Sequence, residues 1–323
     1  MIRTGIIGGS HFQAGELIRL LINHPDVEIS WIHSSDNAGR RITDIHRGLI
    51  GDCYLRFTDN LDVDNIDMLF LCLNNGEARN FILANPLPET LKIIDLSSDF
   101  RLADQASDFV YGLPELNRKP MVRGALHVAN PGNIATAVSL ALLPLAKELR
   151  VEGDIHVTAI TATSDADTTP AIASAYSSVS NNITLFNPLT HSQLPEINQT
   201  IRTLSPNWNG RLNLIPLLGP ISRGTVAIVY MDSDLDANQA QQIFEDYYSD
   251  HNFTFLSDTQ PDIKDVVNTN KCILHIDKID NKLVITSVID NLLKGCAGTA
   301  IHNMNLLFGL QERVGLLLKS SAF

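Results

Sequence analysis

The chain opens on an apolar run, Arg3–Ile7, closed by Gly8-Gly9, and Ala14–Asn23 then carry apolar residues at helical spacing. A strand that passes through glycines straight into a helix constrains the fold more than any other stretch. The strand needs parallel neighbours, and the helix must return along one face of the sheet. His24-Pro25 stops that helix, and Val27–Ile32, Met68–Leu73 and Lys92–Leu96 follow as further buried-strand runs. Strands alternating with helices predict a doubly wound parallel sheet of Rossmann type. From about Val151 the texture changes: DIHVTAITAT, RLNLIPLL, GTVAIVYMD, KCILHIDKID and KLVITSVID read as strands, with one clear helix between, Ala237–Ser249. That pattern predicts a second domain of α+β class with a mostly antiparallel or mixed sheet. The expected division is residues 1–149 with 300–323 in the first domain, and 150–299 in the second. The closing run Ala300–Leu310 reads as a helix returning to the first.

With 323 residues, 44% hydrophobic and 19% charged, the chain is long enough for two cores. Its formal net charge of −12 argues against nucleic acid or an anionic membrane as partner. No apolar run reaches the length of a membrane span. Four cysteines (Cys53, Cys72, Cys272, Cys296) show no CxxC spacing, and MIRTGIIGGS lacks the features of a signal peptide. The expectation is a cytoplasmic protein with reduced thiols. Its ten histidines are scattered, so no metal site is expected.

Gly5, Gly8, Gly9, Ser10 and His11 stand where a dinucleotide-binding turn belongs. Glycines there admit a pyrophosphate to the backbone, and the helix N-terminus supplies positive dipole. The position of a third glycine is His11, whose bulk narrows the approach. After the second strand come Ser34, Ser35 and Arg40-Arg41 with no acid at the strand end. Hydroxyls beside arginines suit a 2′-phosphate, which favours NADP over NAD; the other reading is a solvated basic face.

HVANPGNIATA, His127–Ala137, is a second platform: a strand-like approach, an Asn-Pro-Gly turn and a small-residue helix start that presents Asn133. With GELIRLLINHPDVEI, IIDLSSDFR, YGLPELNR, LPEI, SRGTVAIVY, VVNTNK and VIDNLLKGCAG in order along nearly the whole chain, the sequence resembles the N-acetyl-γ-glutamyl-phosphate reductase family, relatives of aspartate-semialdehyde dehydrogenase. The resemblance implies NADPH-dependent reduction of an N-acyl-glutamyl phosphate to the semialdehyde, a step of arginine biosynthesis. In that chemistry a cysteine thiolate expels phosphate to form a thioester, which hydride then releases as the aldehyde. It implies a nucleophile at position 133, a histidine acid–base at His191, and substrate contacts at Arg101, Glu115, Arg223 and Lys294. It also places Asn291 near the cofactor. The implied partners are a small N-acyl-glutamate derivative and further copies of the chain as a dimer or tetramer, or an active paralogue in a hetero-oligomer.

The sequence departs from the family where the chemistry lies. Asn133 stands at the cysteine position, and a carboxamide is no substitute for a thiolate. The HxH pair is His191-Ser192-Gln193. The glycine-rich loop after the VTAIT strand is Thr163-Ser164-Asp165-Ala166-Asp167, whose carboxylates repel a phosphate by about 1 kcal/mol each at ~4 Å in water. Cys296, in the VIDNLLKGCAG loop, is the one candidate for a relocated nucleophile; the other reading is an inert packed thiol. A catalytically silent paralogue that binds a ligand or regulates a partner is therefore the alternative function.

Overall fold

The computed structural model describes residues 1–106, 108–165 and 179–321. It divides into two compact units: Met1–Pro131 with Cys296–Leu317, and Gly132–Gly295 with Leu318–Phe323.

The first unit runs β1 (Ile2–Ile7), α1 (Phe12–Leu21), β2 (Val27–His33), β3 (Phe57–Thr58), β4 (Met68–Leu71), α2 (Glu77–Ala84), β5 (Lys92–Asp95), β6 (Phe109–Tyr111), α3 (Pro114–Val122) and β7 (His127–Ala129). Its seven strands lie in the order β3-β2-β1-β4-β5-β7-β6, every pairing parallel. β4 is buried at all four positions, as a central parallel strand must be. The sequence pattern does not show β3 and β6, because two or three residues carry no period.

Asp95 ends β5 with no exposed surface. Burial raises its carboxyl to about 6, against the opposing pull of the Ser97 backbone N–H and hydroxyl, which donate to it at 3.1 and 2.8 Å. A folded carboxyl titrating above its unfolded value contributes stability below the unfolded pKa, and loses it as pH rises through the folded one. Relative to Asp95→Asn, the wild-type chain is expected to lose up to about 3 kcal/mol between pH 4 and pH 7. Urea unfolding followed by Trp31, the first unit's tryptophan, checks this. A wild-type-minus-variant difference that stays flat with pH contradicts it.

The second unit opens with α4 (Asn133–Lys147) and continues through β8 (Ile155–Thr161), β9 (Thr184–Leu185), α5 (Leu194–Leu204), β10 (Leu212–Leu218), β11 (Thr225–Asp232), α6 (Ala237–Tyr248), β12 (Thr254–Leu256), α7 (Ile263–Val266), β13 (Cys272–Ile279) and β14 (Lys282–Ile289). The sheet is mixed, in the order β12-β13-β14-β11-β8-β10-β9: β8 and β10 are parallel, whereas β11 runs antiparallel to both β8 and β14. This is the architecture expected from the sequence. α4 has no charged residue before Lys147 and is buried from Asn133 to Ala146. A helix apolar all round belongs inside a core, and α4 packs against α5, α6, β11 and β14.

That packing moves a boundary. The sequence reading placed Asn133 and its helix in the first domain, ending at Leu149; the unit break falls at Pro131, and α4 is the central helix of the second unit. The closing helix α8 (Gly298–Leu307) lies in the first unit against α1, α3 and β5, and that unit's closing segment starts at Cys296 rather than at residue 300. The register of a chain excursion is set by which core accepts an apolar face, and local sequence does not report it.

Candidate functional site

In the first unit the turn after β1 has Gly8 at φ +74°, and a Cβ there would stand 2.2 Å from the Cys72 carbonyl oxygen. A side chain at Gly5 would meet the Trp31 ring at 2.4 Å, and one at Gly9 the Ile32 Cγ2 at 2.2 Å. Gly5 and Gly9 thus let β2 close on β1, while Gly8 shapes the loop. The His11 ring folds back to donate from Nδ1 to the Gly8 carbonyl at 2.9 Å, and His46 donates to the Gly9 carbonyl at 2.7 Å. Burial lowers the His46 pKa. No side chain caps the start of α1 after Ser10 and His11. Its first N–H groups are left for a ligand, the arrangement that receives a pyrophosphate.

At the end of β2 a relay runs outward. Asn37 donates to the buried Ser34 hydroxyl at 3.1 Å, and Arg40 donates to the Asn37 Oδ1 at 2.9 Å. Ser35 is exposed beside them. A guanidinium held near hydroxyls at a strand's carboxyl end fits a 2′-phosphate. The residues of the first unit therefore fit a nicotinamide dinucleotide phosphate.

Arg101 is engaged with the fold: its Nε donates to the Asn130 carbonyl at 2.8 Å and its Nη2 to that of Leu96 at 3.2 Å. Glu115 is buried in the first turn of α3. Cys296 is half-buried and its thiol reaches Gln13 Oε1 at 3.6 Å, while burial pushes the Cys72 thiol well up.

The second unit gathers the platform residues around the first turn of α4. Asn133 is 4% exposed. Its Nδ2 donates to the hydroxyls of Thr161 at 3.1 Å and Thr225 at 3.4 Å, and those hydroxyls are 2.9 Å from each other across the β8–β11 pairing. Its Oδ1 accepts from the Ile134 N–H at 2.8 Å and from Gln193 Nε2 at 3.3 Å. Gln193 Oε1 accepts the next N–H, that of Ala135, at 2.8 Å, and Glu196 Oε1 accepts that of Gly132 at 2.8 Å. A Cβ at position 132 would lie 2.3 Å from Gln193 Cδ and displace that side chain's amide.

It is therefore Gln193 whose side chain meets position 133. His191, expected as the acid–base, is buried with its ring edge-on to Phe186 at 5.5 Å, and its Nδ1 accepts from the Gln193 N–H at 3.3 Å. Desolvation lowers its pKa. The hydroxyls Thr161 and Thr225 carried no sequence signal; strand register alone brings them together.

The other expected contacts form a second cluster. Asp290, with no exposed surface, accepts from Arg223 Nε at 3.1 Å and Nη2 at 3.3 Å, and from the N–H groups of Asn268, Leu292 and Leu293 at 2.8, 2.9 and 3.0 Å. Asn291 accepts the Gly224 N–H at 2.8 Å and donates to Ser164 Oγ at 3.0 Å, bonds that lie within the second unit. Lys294 is fully buried in a single π-type turn, Leu293–Ala297, with its ammonium 6.0 Å from the Phe253 ring centroid. Asp165 closes a one-turn 3-10 helix; its side chain and all of Asp167 lie outside the described residues.

A parallel glycine-turn unit and a mixed-sheet unit that begins on a buried, capped helix define a two-domain dehydrogenase of the semialdehyde dehydrogenase type. The family comparisons agree. A model described as semialdehyde dehydrogenase, NAD binding domain, matches residues 3–123, and one described as semialdehyde dehydrogenase, dimerisation domain, matches residues 134–291. Among solved structures, aspartate semialdehyde dehydrogenase II of Vibrio cholerae, complexed with ASA, is similar at a TM-score of 0.73 and 16% identity, covering 96% of this chain and 98% of that one. The Candida albicans aspartate semialdehyde dehydrogenase with NADP is similar at 0.71 and 12%, covering 95% and 98%. Closer in sequence are the N-acetyl-γ-glutamyl-phosphate reductases of Parabacteroides distasonis, 52% identical, and Azobacteroides pseudotrichonymphae, 51%, each over 323 residues and the whole of both chains. The chain belongs to the N-acetyl-γ-glutamyl-phosphate reductase family.

Proposed function

We propose that this chain binds NADP on its first unit and an N-acyl-glutamate derivative on its second, as a cytoplasmic member of the reductase family of arginine biosynthesis. The observation that carries the reading is identity above 50% over the full length of named reductases. The uncapped α1 turn and the Ser34–Asn37–Arg40 relay support the cofactor. NADPH, when bound, supplies hydride to an acyl carbon. The chain's own residues position ligands: Arg40 for the 2′-phosphate, and Arg223, oriented by Asp290, for an anionic group. The family model's description and the β11 face that carries Val226, Ile228 and Tyr230 away from α4 support a homo-oligomer with that face against a second copy.

A second reading has its own observation. The side chain at position 133 is an uncharged carboxamide whose two ends are both engaged. Removing a covalent nucleophile costs orders of magnitude in rate. On this reading the chain binds the family's ligands without thioester turnover, as a ligand-binding or regulatory subunit.

One experiment separates them: calorimetric titration with NADP, together with NADP reduction by N-acetyl-glutamate semialdehyde plus phosphate. Turnover above the blank supports the reductase. Micromolar NADP binding with turnover at the blank supports the second reading. Neither binding nor turnover overturns both.

A further inference from the structure

The two departures from the family motifs, at positions 133 and 193, touch each other. Gln193 Nε2 donates to Asn133 Oδ1 at 3.3 Å, and the two side chains divide the helix start between them. Asn133 Oδ1 takes the N–H of Ile134, Gln193 Oε1 that of Ala135, and Glu196 brings a carboxylate to that of Gly132. Thr136 is already bonded to the Gly132 carbonyl through both its N–H, at 2.7 Å, and its hydroxyl, at 2.8 Å. A helix N-terminus attracts anions because its first N–H groups lack partners. Here the N–H groups of Gly132, Ile134 and Ala135 are taken by acceptors from within the chain, and one of those acceptors is a carboxylate. Gly295 seals the same point, where a Cβ would stand 2.7 Å from Asn133 Cβ.

We propose that Asn133 and Gln193 act as one amide clasp that closes the start of α4 to phosphate and other anions, and that Gln193 is the specificity-determining residue of the second unit. The specificity role rests on the function proposed above; the clasp does not.

The test is a thermal double-mutant cycle on the full chain with Asn133→Ala, Gln193→Ala and both, run in chloride and in inorganic phosphate at equal ionic strength. Coupled side chains lose their shared bond only once, so the double variant's Tm loss is expected to fall short of the summed single losses by about 2–4 °C. Opening the N–H groups of Ile134 and Ala135 is expected to give the double variant a phosphate-dependent Tm rise of about 2 °C that the wild type lacks. If the double variant does not fold, Gln193→Met keeps the side-chain length, removes both amide bonds and carries the same phosphate comparison. Additive losses overturn the clasp, and so does a wild type that phosphate stabilises as much as the opened variant. NADP enters neither readout, so failure here is distinct from failure of the proposed function.

Discussion

Replacing Asp290 with alanine is expected to cost the second unit about 3–5 kcal/mol of stability, the range for breaking a buried ion pair by removing one partner. The carboxylate has no exposed surface and holds the Arg223 guanidinium together with the N–H groups of Asn268, Leu292 and Leu293. Alanine would remove the buried carboxylate that accepts from the Arg223 guanidinium and from the N–H groups of Asn268, Leu292 and Leu293. Asp290→Asn keeps one carbonyl oxygen for Leu292 and Leu293 but turns an N–H₂ toward Arg223, so an intermediate loss is expected. Trp208 is the second unit's tryptophan, 7% exposed, and its fluorescence during urea unfolding reads this unit separately from Trp31 in the first. A midpoint for Asp290→Ala within 1 kcal/mol of wild type shows that the cluster contributes nothing net.

The second large effect is expected at Gly8. Its φ of +74° costs an L-residue roughly 1–2 kcal/mol. The Cβ position 2.2 Å from the Cys72 backbone oxygen leaves no soft neighbour to move. Gly8→Ala must therefore displace the turn that leads into α1, and with it the N–H groups offered to a pyrophosphate. NADP affinity is expected to fall at least about 100-fold, equivalent to roughly 2.7 kcal/mol, while the second unit's Trp208 transition stays in place. Calorimetric titration measures it; an unchanged NADP affinity would place the dinucleotide elsewhere. Gly39, which also has positive φ but open space at its Cβ, is the control: Gly39→Ala keeps its affinity within a few-fold.

The amino-acid sequence by itself determined the fold class and the family. Apolar runs separated by helical periods read directly as a parallel sheet, because a strand buried on both faces has no polar side to hide it. The alternation in GTVAIVYMD likewise matches the in-out burial of β11. Asn133 at the expected nucleophile position and Gln193 two residues after His191 were equally plain, since each is a single letter of the sequence. What those letters do was decided by tertiary structure alone. Thr161 and Thr225 belong to strands 64 residues apart in the chain and meet only through the β8–β11 register. Gln193 reaches Asn133 across 60 residues because α5 packs on α4. The unit break at Pro131 falls before the expected boundary for the same reason: α4 has apolar residues on every side, so local pattern states that it is buried but not in which core. Hydrogen-bond partners and core membership are properties of chain segments distant in sequence, and no period of 2 or 3.6 residues encodes them.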